Sequence, residues 1–296
     1  MTRTPPYELV IRQRLGALGR ALPAARKGDV NGVHQARVAT RRLREALPLL
    51  AKRRVGRKLR KQVRRLTRGL GPVRELDVAL MTLDQIHASG DAPEGGVRRL
   101  RDVIGEERGR LLVEMIRRID RFDLKKLQKK ALADRPPETS GKGGTRRGRT
   151  PLEQADARAS RRGEDVRAAI DNAAGIYLAD RLHAVRIAVK KLRYAMEIAH
   201  ELRASRAQAR LRTLRRVQDL LGRMHDLEVL IARTRALQST GTLRDLKLSG
   251  ELDRLVRFLE TECRLLHVRY MNERKALLAI CDYVTAMAEQ HRASAA

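Results

Sequence analysis

Residues 33–44 read VHQARVATRRLR, and residues 182–193 read LHAVRIAVKKLR. At an offset of 149 residues His34 meets His183, Arg37 meets Arg186, Arg41 and Arg42 meet Lys190 and Lys191, and Leu43–Arg44 meets Leu192–Arg193. A second match follows each copy at an offset of 151, where Leu70–Gly71 meets Leu221–Gly222, Glu75 meets Asp226 and Asp77 meets Glu228. Just upstream, Lys61, Arg64 and Arg65 meet Arg212, Arg215 and Arg216. A repeat on this scale means two copies of one structural unit.

Both copies carry a helix pattern. Ala36, Leu43, Leu47 and Leu50, with Thr40 completing the row, follow the spacing of a core-facing stripe, as do Val185, Val189, Leu192, Met196 and Ala199. The basic residues His34, Arg37, Arg41 and Arg44 form their own row at spacings of three, four and three, as do His183, Arg186, Lys190 and Arg193. Each row is about 15 Å long and lies about 100° around the helix from the apolar stripe. Like charges at these spacings destabilise an isolated helix. Scattered basic residues would serve a merely solvated face, so two matching rows beside two apolar stripes point to anion binding.

Working outward, helical periodicity covers 7–26, 32–51, 54–69, 73–88, 94–120, 122–133, 154–178, 181–203, 206–222, 224–239 and about 249–292. Breaks are expected at Gly28–Asp29, at Gly69–Gly71–Pro72 and over 89–96, with Asn31 and Asp180 as helix caps. The stretch 134–153, with Pro136–Pro137 and Gly143–Gly144, reads as a linker or disordered loop, and its Arg146, Arg147 and Arg149 as a solvated charge run. It separates a half at 1–133 from a half at 154–296.

The chain has 296 residues with 65 Lys plus Arg against 35 Asp plus Glu, a net charge of +30. Its partner is therefore expected to be a polyanion: nucleic acid, a phosphate polymer or an anionic membrane surface. Hydrophobic residues at 42% suffice for a core, and aromatics at 2% with no Trp argue against base-stacking platforms and against a β-sandwich. Cys263 and Cys281 stand apart from any CxxC and are expected to be reduced and buried. The N-terminus has no apolar signal core and no stretch approaches a membrane span, so the expected address is the cytoplasm.

No catalytic constellation is legible: there is no GxxxxGK[ST], no GxGxxG and no HExxH. A metal site is not expected either, since His34 and His183 have no second His or Cys at ligand spacing and sit among arginines. The two histidines follow helix starts, where an N–H could meet an anion, and a structural role for them stays open. Glu75 with Asp77 and Asp226 with Glu228 are read as partners that fix arginine rotamers rather than as general acids or metal ligands. His225 has Arg74 in the matching place and is assigned no role.

The two motifs VHQARVATRRLR and LHAVRIAVKKLR, followed by LGPVRELDVAL at 70–80 and LGRMHDLEVL at 221–230, resemble the signature helices of the CHAD family, the conserved histidine α-helical domain. The resemblance spans the chain apart from the linker. It implies an all-α fold of two homologous helical bundles, related by a pseudo-two-fold axis around a basic central channel or groove, the whole forming one CHAD domain. It also implies non-catalytic binding of inorganic polyphosphate and association with polyphosphate granules and their proteins. Carried over by position, the ligands are His34, Arg37, Arg41, Arg42, Arg44, His183, Arg186, Lys190, Lys191 and Arg193, supported by Lys61, Arg64, Arg65, Arg212, Arg215 and Arg216. Lys190 and Lys191 depart from the arginines of the first copy and supply point charges instead of bidentate forks. The ExExK strand motif of triphosphate-processing relatives is absent, and no cofactor is implied. A nucleic-acid-binding protein using the same basic surface is the alternative, and a metal-dependent phosphohydrolase is disfavoured by the arginines beside its acidic residues.

Overall fold

Arg, Leu and Ala dominate the sequence, and all three favour helix. The computed structural model describes residues 6–50, 53–133, 150–203, 208–239 and 246–293, and among them all regular structure is helical. The order is α1 (Pro6–Arg26), α2 (Val30–Leu50), α3 (Arg53–Ser89), α4 (Glu94–Asp120), α5 (Leu124–Ala133), α6 (Pro151–Ala173), α7 (Ala179–Arg203), α8 (Ala209–Ser239) and α9 (Leu246–Ala293). The two signature stretches fall in α2 and α7.

Helix boundaries follow local chemistry. Gly28 takes a left-handed φ of 77°, and the Asp29 carboxylate accepts the Gly32 N–H at 2.6 Å. Asp29, not Asn31, is therefore the cap of α2. Similarly α7 starts at Ala179, so Asp180 lies inside its first turn, where a carboxylate complements the helix dipole. Thr150 and Glu153 form a reciprocal capping box with Pro151 opening α6, so the helix begins inside the stretch read as linker. Residues 134–149, including Arg146, Arg147 and Arg149, lie outside the described residues. Left-handed Ala174 and Gly175 end α6 at Ala173, short of the expected 178.

The expected breaks at Gly69–Gly71–Pro72 and after Gly222 do not occur. α3 and α8 run through them unbroken. Pro72 removes one donor, to the carbonyl of Arg68. Against that single loss, Leu66, Leu70 and Val73 are all buried on one continuing stripe. The glycines serve close approach instead of a turn. A Cβ on Gly69 would stand 2.9 Å from Cδ of Arg118, and one on Gly71 would stand 2.9 Å from Nη1 of Arg37.

Buried apolar residues gather into two cores. One joins α1, α2 and α5 with the first part of α3, the last part of α4 and Ala155, Ile198 and Ala199 from α6 and α7, and includes Leu18, Leu43, Leu47 and Leu59. The other joins α6–α9 with the later part of α3 and the first part of α4, including Leu83, Leu100, Leu192 and Leu255. Each such leucine contributes about 1.5–3 kcal/mol by leaving water. The α3–α4 pair thus belongs to both cores and ties the sequence halves together. Polar cross-links reinforce this. Buried Arg14 of α1 donates to the Arg42 carbonyl at 2.6 Å and to Glu201 of α7 at 2.9 Å, and Arg233 of α8 pairs with Glu107 of α4 at 2.6 Å. Cys263 and Cys281 are buried and unpaired, about 27 Å apart along α9.

Candidate anion-binding site

The stripe that buries Ala36, Thr40, Leu43 and Leu47 turns the neighbouring face of α2 toward an open cleft of about 690 Å³. His34, Arg37 and Arg41 line it from α2, Arg186, Lys190 and Arg193 from α7. Arg74 and Glu75 of α3 and Arg215 and Asp226 of α8 complete the wall. The two basic rows, 149 residues apart in sequence, therefore face one space.

The cations fall into two groups. Arg193 is buried and fixed: its Nε donates to Gln218 at 2.8 Å, its Nη1 to Glu197, and its guanidinium lies 4.4 Å from the centre of the Tyr194 ring. Glu197 also stands 3.4 Å from Arg42, so it bridges α7 to α2 at this end. The other group lacks carboxylate partners among the described residues. Arg37 is held by a neutral contact, Nη1 donating to the Thr67 carbonyl at 3.1 Å. Arg41, Lys190 and Arg215 have no ion pair there, and Nε of Arg186 is buried with no hydrogen-bond partner.

Electrostatics record the strain of this arrangement. Burial, followed by Arg41, Arg186, Arg37 and Arg193, pushes the Lys190 ammonium down to about 6. Burial and then Arg41 push Arg37 down to about 10. Arg186, Arg44 and Arg74 move down too, each chiefly through burial. Burial, then Arg186, His183 and Lys190, pushes His225 down to about 4. Every shift among these bases disfavours the cation, through burial first and neighbouring positive charge second, and the nearby carboxylates Glu75 and Asp226 only partly offset it.

The histidines pair with the motif that follows them. Nδ1 of His183 lies 3.1 Å from Nδ1 of His225, so one ring donates and the other accepts. His34 has Arg74 in the same role, a neighbouring charge that lowers its pKa after the effect of burial. Of the acidic residues, buried Asp77 accepts from Arg108 at 2.6 Å, and Arg108 in turn donates to the Gly28 carbonyl at 2.9 Å. Glu75 lies 3.8 Å from Arg233. Asp226 sits among Arg186, Arg223, Arg74 and Lys190, yet burial still raises its pKa. Glu228 departs from the expected arginine pairing, since the Tyr177 hydroxyl donates to it.

A family model for the CHAD domain matches residues 9–235. The chain belongs to the CHAD domain family. Two solved structures are similar to it: the CHAD domain from the plant Ricinus communis, at 21% identity with a TM-score of 0.66 over 92% of this chain and 90% of that one, and PptA from Streptomyces chartreusis, at 16% identity with a TM-score of 0.60 over 96% and 98%. At these identities the likeness concerns the fold. Among curated proteins none matches the sequence. Among the described residues no helix is long and apolar enough to cross a membrane.

Within this CHAD domain the sequence-derived residues are not all gathered. His34, Arg37, Arg41, Arg42, Arg186, Lys190, Arg193 and Arg215 reach the cleft. Arg44 lines an adjoining opening of about 510 Å³ that it shares with Arg37 and Arg41. His183 stands behind His225, which does face the cleft. Lys191 and Arg212 are exposed and outside it, and exposed Arg216 is paired with Glu273 at 2.7 Å. Lys61, Arg64 and Arg65 lie on the exposed face of α3, and only Arg64 is near enough to Arg44 to depress its pKa. Adjacent helix positions point about 100° apart, so Lys191 cannot share the direction of Lys190, nor Arg216 that of Arg215. Arg74, Arg223, Tyr194, Gln218 and His225 line the cleft unanticipated. The alignment of Arg74 with His225, each just before an acidic residue, was the available signal.

Proposed function

We propose that the cleft between α2 and α7 binds inorganic polyphosphate and does not turn it over. The observation that carries this reading is the convergence of Arg37, Arg41, Arg186 and Lys190 on one space in which cations outnumber the carboxylates Glu75, Asp219 and Asp226 and none of the four makes an ion pair among the described residues. A phosphate polymer supplies closely spaced charge along a flexible thread, and arginine grips phosphate oxygens with paired N–H donors. Membership of the CHAD family supports the choice of ligand. In this reading α2 and α7 are equivalents about a pseudo-two-fold axis, 1–133 and 154–296 are the two CHAD repeats, and the cleft is the central channel. The protein would work in the cytoplasm at polyphosphate granules. Binding without catalysis is favoured because the acidic residues of the cleft are held by Arg233 or ringed by arginines that repel a metal ion. Nucleic acid is the weaker candidate, because the row is recessed and Tyr194 is the one aromatic lining residue among those described.

The test is competition between long-chain polyphosphate and duplex DNA at physiological salt, with two charge-matched variants. Changing Arg37, Arg41 and Arg186 together to Ala removes three charge-assisted contacts of roughly 1.5–3 kcal/mol each, so polyphosphate binding should weaken by at least about a hundredfold. Changing the exposed Arg254, Arg257 and Arg264 of α9 to Ala should cost no more than about twofold. Equal losses, or preference for DNA, would overturn the proposal.

A further inference from the structure

Three openings in the protein share arginines. The central cleft and the adjoining opening share Arg37 and Arg41, and that opening shares Arg68 with a groove of about 660 Å³ on the outside of the molecule. The outer groove is formed by α3, α4 and the start of α5, and Arg65, Arg68, Arg118, Arg121 and Lys126 line it. Resting on the polyphosphate reading above, we infer that a long polyphosphate chain leaves the central cleft past Arg44 and Arg68 and is held again in this outer groove.

Three features of the structure support a continuous path. First, Gly69 and Gly71 point about 200° apart around α3. Gly71 lets Arg37 lie across the helix on the inner side, and Gly69 lets Arg118 lie across it on the outer side. The helix that separates the two spaces is thus thinned on both faces, each time under an arginine. Second, most of the charge of the outer groove is free: among its described cations Arg118 alone is paired, with Glu114 at 3.5 Å. Arg65, Arg68, Arg121 and Lys126 have no carboxylate partner among the described residues. Asp123, the acidic lining residue, is occupied in capping α5 through the Lys126 N–H at 2.8 Å. In the intermediate opening both carboxylates, Glu75 and Glu107, are already tied to Arg233. Third, the second half of the chain does not repeat this exit. At the offset of 151, Asp219 stands in place of Arg68, Leu220 in place of Gly69, and Arg216, in place of Arg65, is engaged by Glu273. The path is therefore one-sided: the first half supplies a way out for a chain of like charge and the second half does not.

The experiment uses the full chain and two probes, tripolyphosphate and long-chain polyphosphate, titrated at fixed ionic strength. Changing Arg65, Arg121 and Lys126 together to Ala should weaken long-chain binding by about tenfold, as expected for three exposed contacts, and leave tripolyphosphate binding unchanged. The Arg254, Arg257 and Arg264 variant should change neither by more than about twofold. Unchanged long-chain affinity in the outer-groove variant, or an equal loss in the α9 variant, would overturn the path while leaving the cleft assignment standing. Loss of long-chain binding from the outer-groove variant with none from the Arg37, Arg41 and Arg186 variant would instead refute the cleft reading, and the continuous path with it.

Discussion

Replacing Lys190 with Met should make the free protein more stable and its polyphosphate complex weaker. Lys190 is held among Arg41, Arg186, Arg37 and Arg193, and its pKa falls from 10.5 to about 6. Each unit corresponds to about 1.4 kcal/mol. At pH 7 the folded lysine is neutral while the unfolded one is charged, so the native state forgoes up to about 5 kcal/mol, less whatever water in the open cleft restores. The sign follows from proton counting. Between about pH 6 and 10.5 the unfolded chain binds the extra proton, so this group makes stability rise with pH through that window and fall toward its acid end. Methionine fills similar volume with no charge. Urea unfolding of the unliganded proteins should show a gain on the order of 2–5 kcal/mol near pH 7, shrinking toward zero near pH 10.5. Bound polyphosphate should restore the ammonium, so the native protein should take up close to one proton on binding near pH 8. Calorimetry in buffers of different ionisation enthalpy reads that uptake, and the variant should lose it along with about tenfold in affinity. A variant less stable at pH 7, or one with unaltered proton uptake, would refute the reasoning.

Two other substitutions separate fold from site. Gly71→Ala should leave stability unchanged or raised by about 1 kcal/mol through helix propensity, yet weaken polyphosphate binding several-fold, because the new Cβ meets the head of Arg37; thermal melts and titration together check this, and unchanged affinity would contradict it. Asp77→Ala should cost about 3 kcal/mol or more in urea unfolding, because it strands the largely buried Arg108 guanidinium; a loss below about 1 kcal/mol would show that the ion pair is dispensable.

The all-helical fold was legible because its evidence is local and redundant. The 3–4 spacing of Leu43, Leu47, Val185 and Val189 needs no knowledge of neighbours, and those residues are all buried. Gly69–Leu70–Gly71–Pro72 misled for the same reason. Read locally it is a turn, but tertiary packing of Leu66, Leu70 and Val73 decides the matter, and the glycines answer to Arg37 and Arg118, which are distant in sequence. The basic rows indicated which side chains share a helix face. They could not show which face meets the other half, so Lys191, Arg212 and Arg216 were gathered with residues from which they point away. Arg74 and His225 escaped because a mismatch in a repeat reads as noise until the structure sets each beside the histidine of its own half.

The division of the cleft arginines into fixed and free carries the last step. Arg42 and Arg193 share Glu197 and close the structure between α2 and α7; their charge is spent within the fold. Arg37, by contrast, is held by a carbonyl, which orients a guanidinium and leaves its charge unneutralised. Had the fold simply needed soluble surface, basic groups in water would have met that need at little cost. Instead Lys190 is withdrawn from solvent far enough to lose its proton near neutrality, and His225 is kept neutral down to about pH 4. Like-charged groups recessed in this way lower the stability of the empty protein, and a polyanion that relieves them stabilises the folded chain by mass action. The pKa depression and the expected affinity are therefore two readings of one arrangement, and any substitution that relaxes the first should diminish the second.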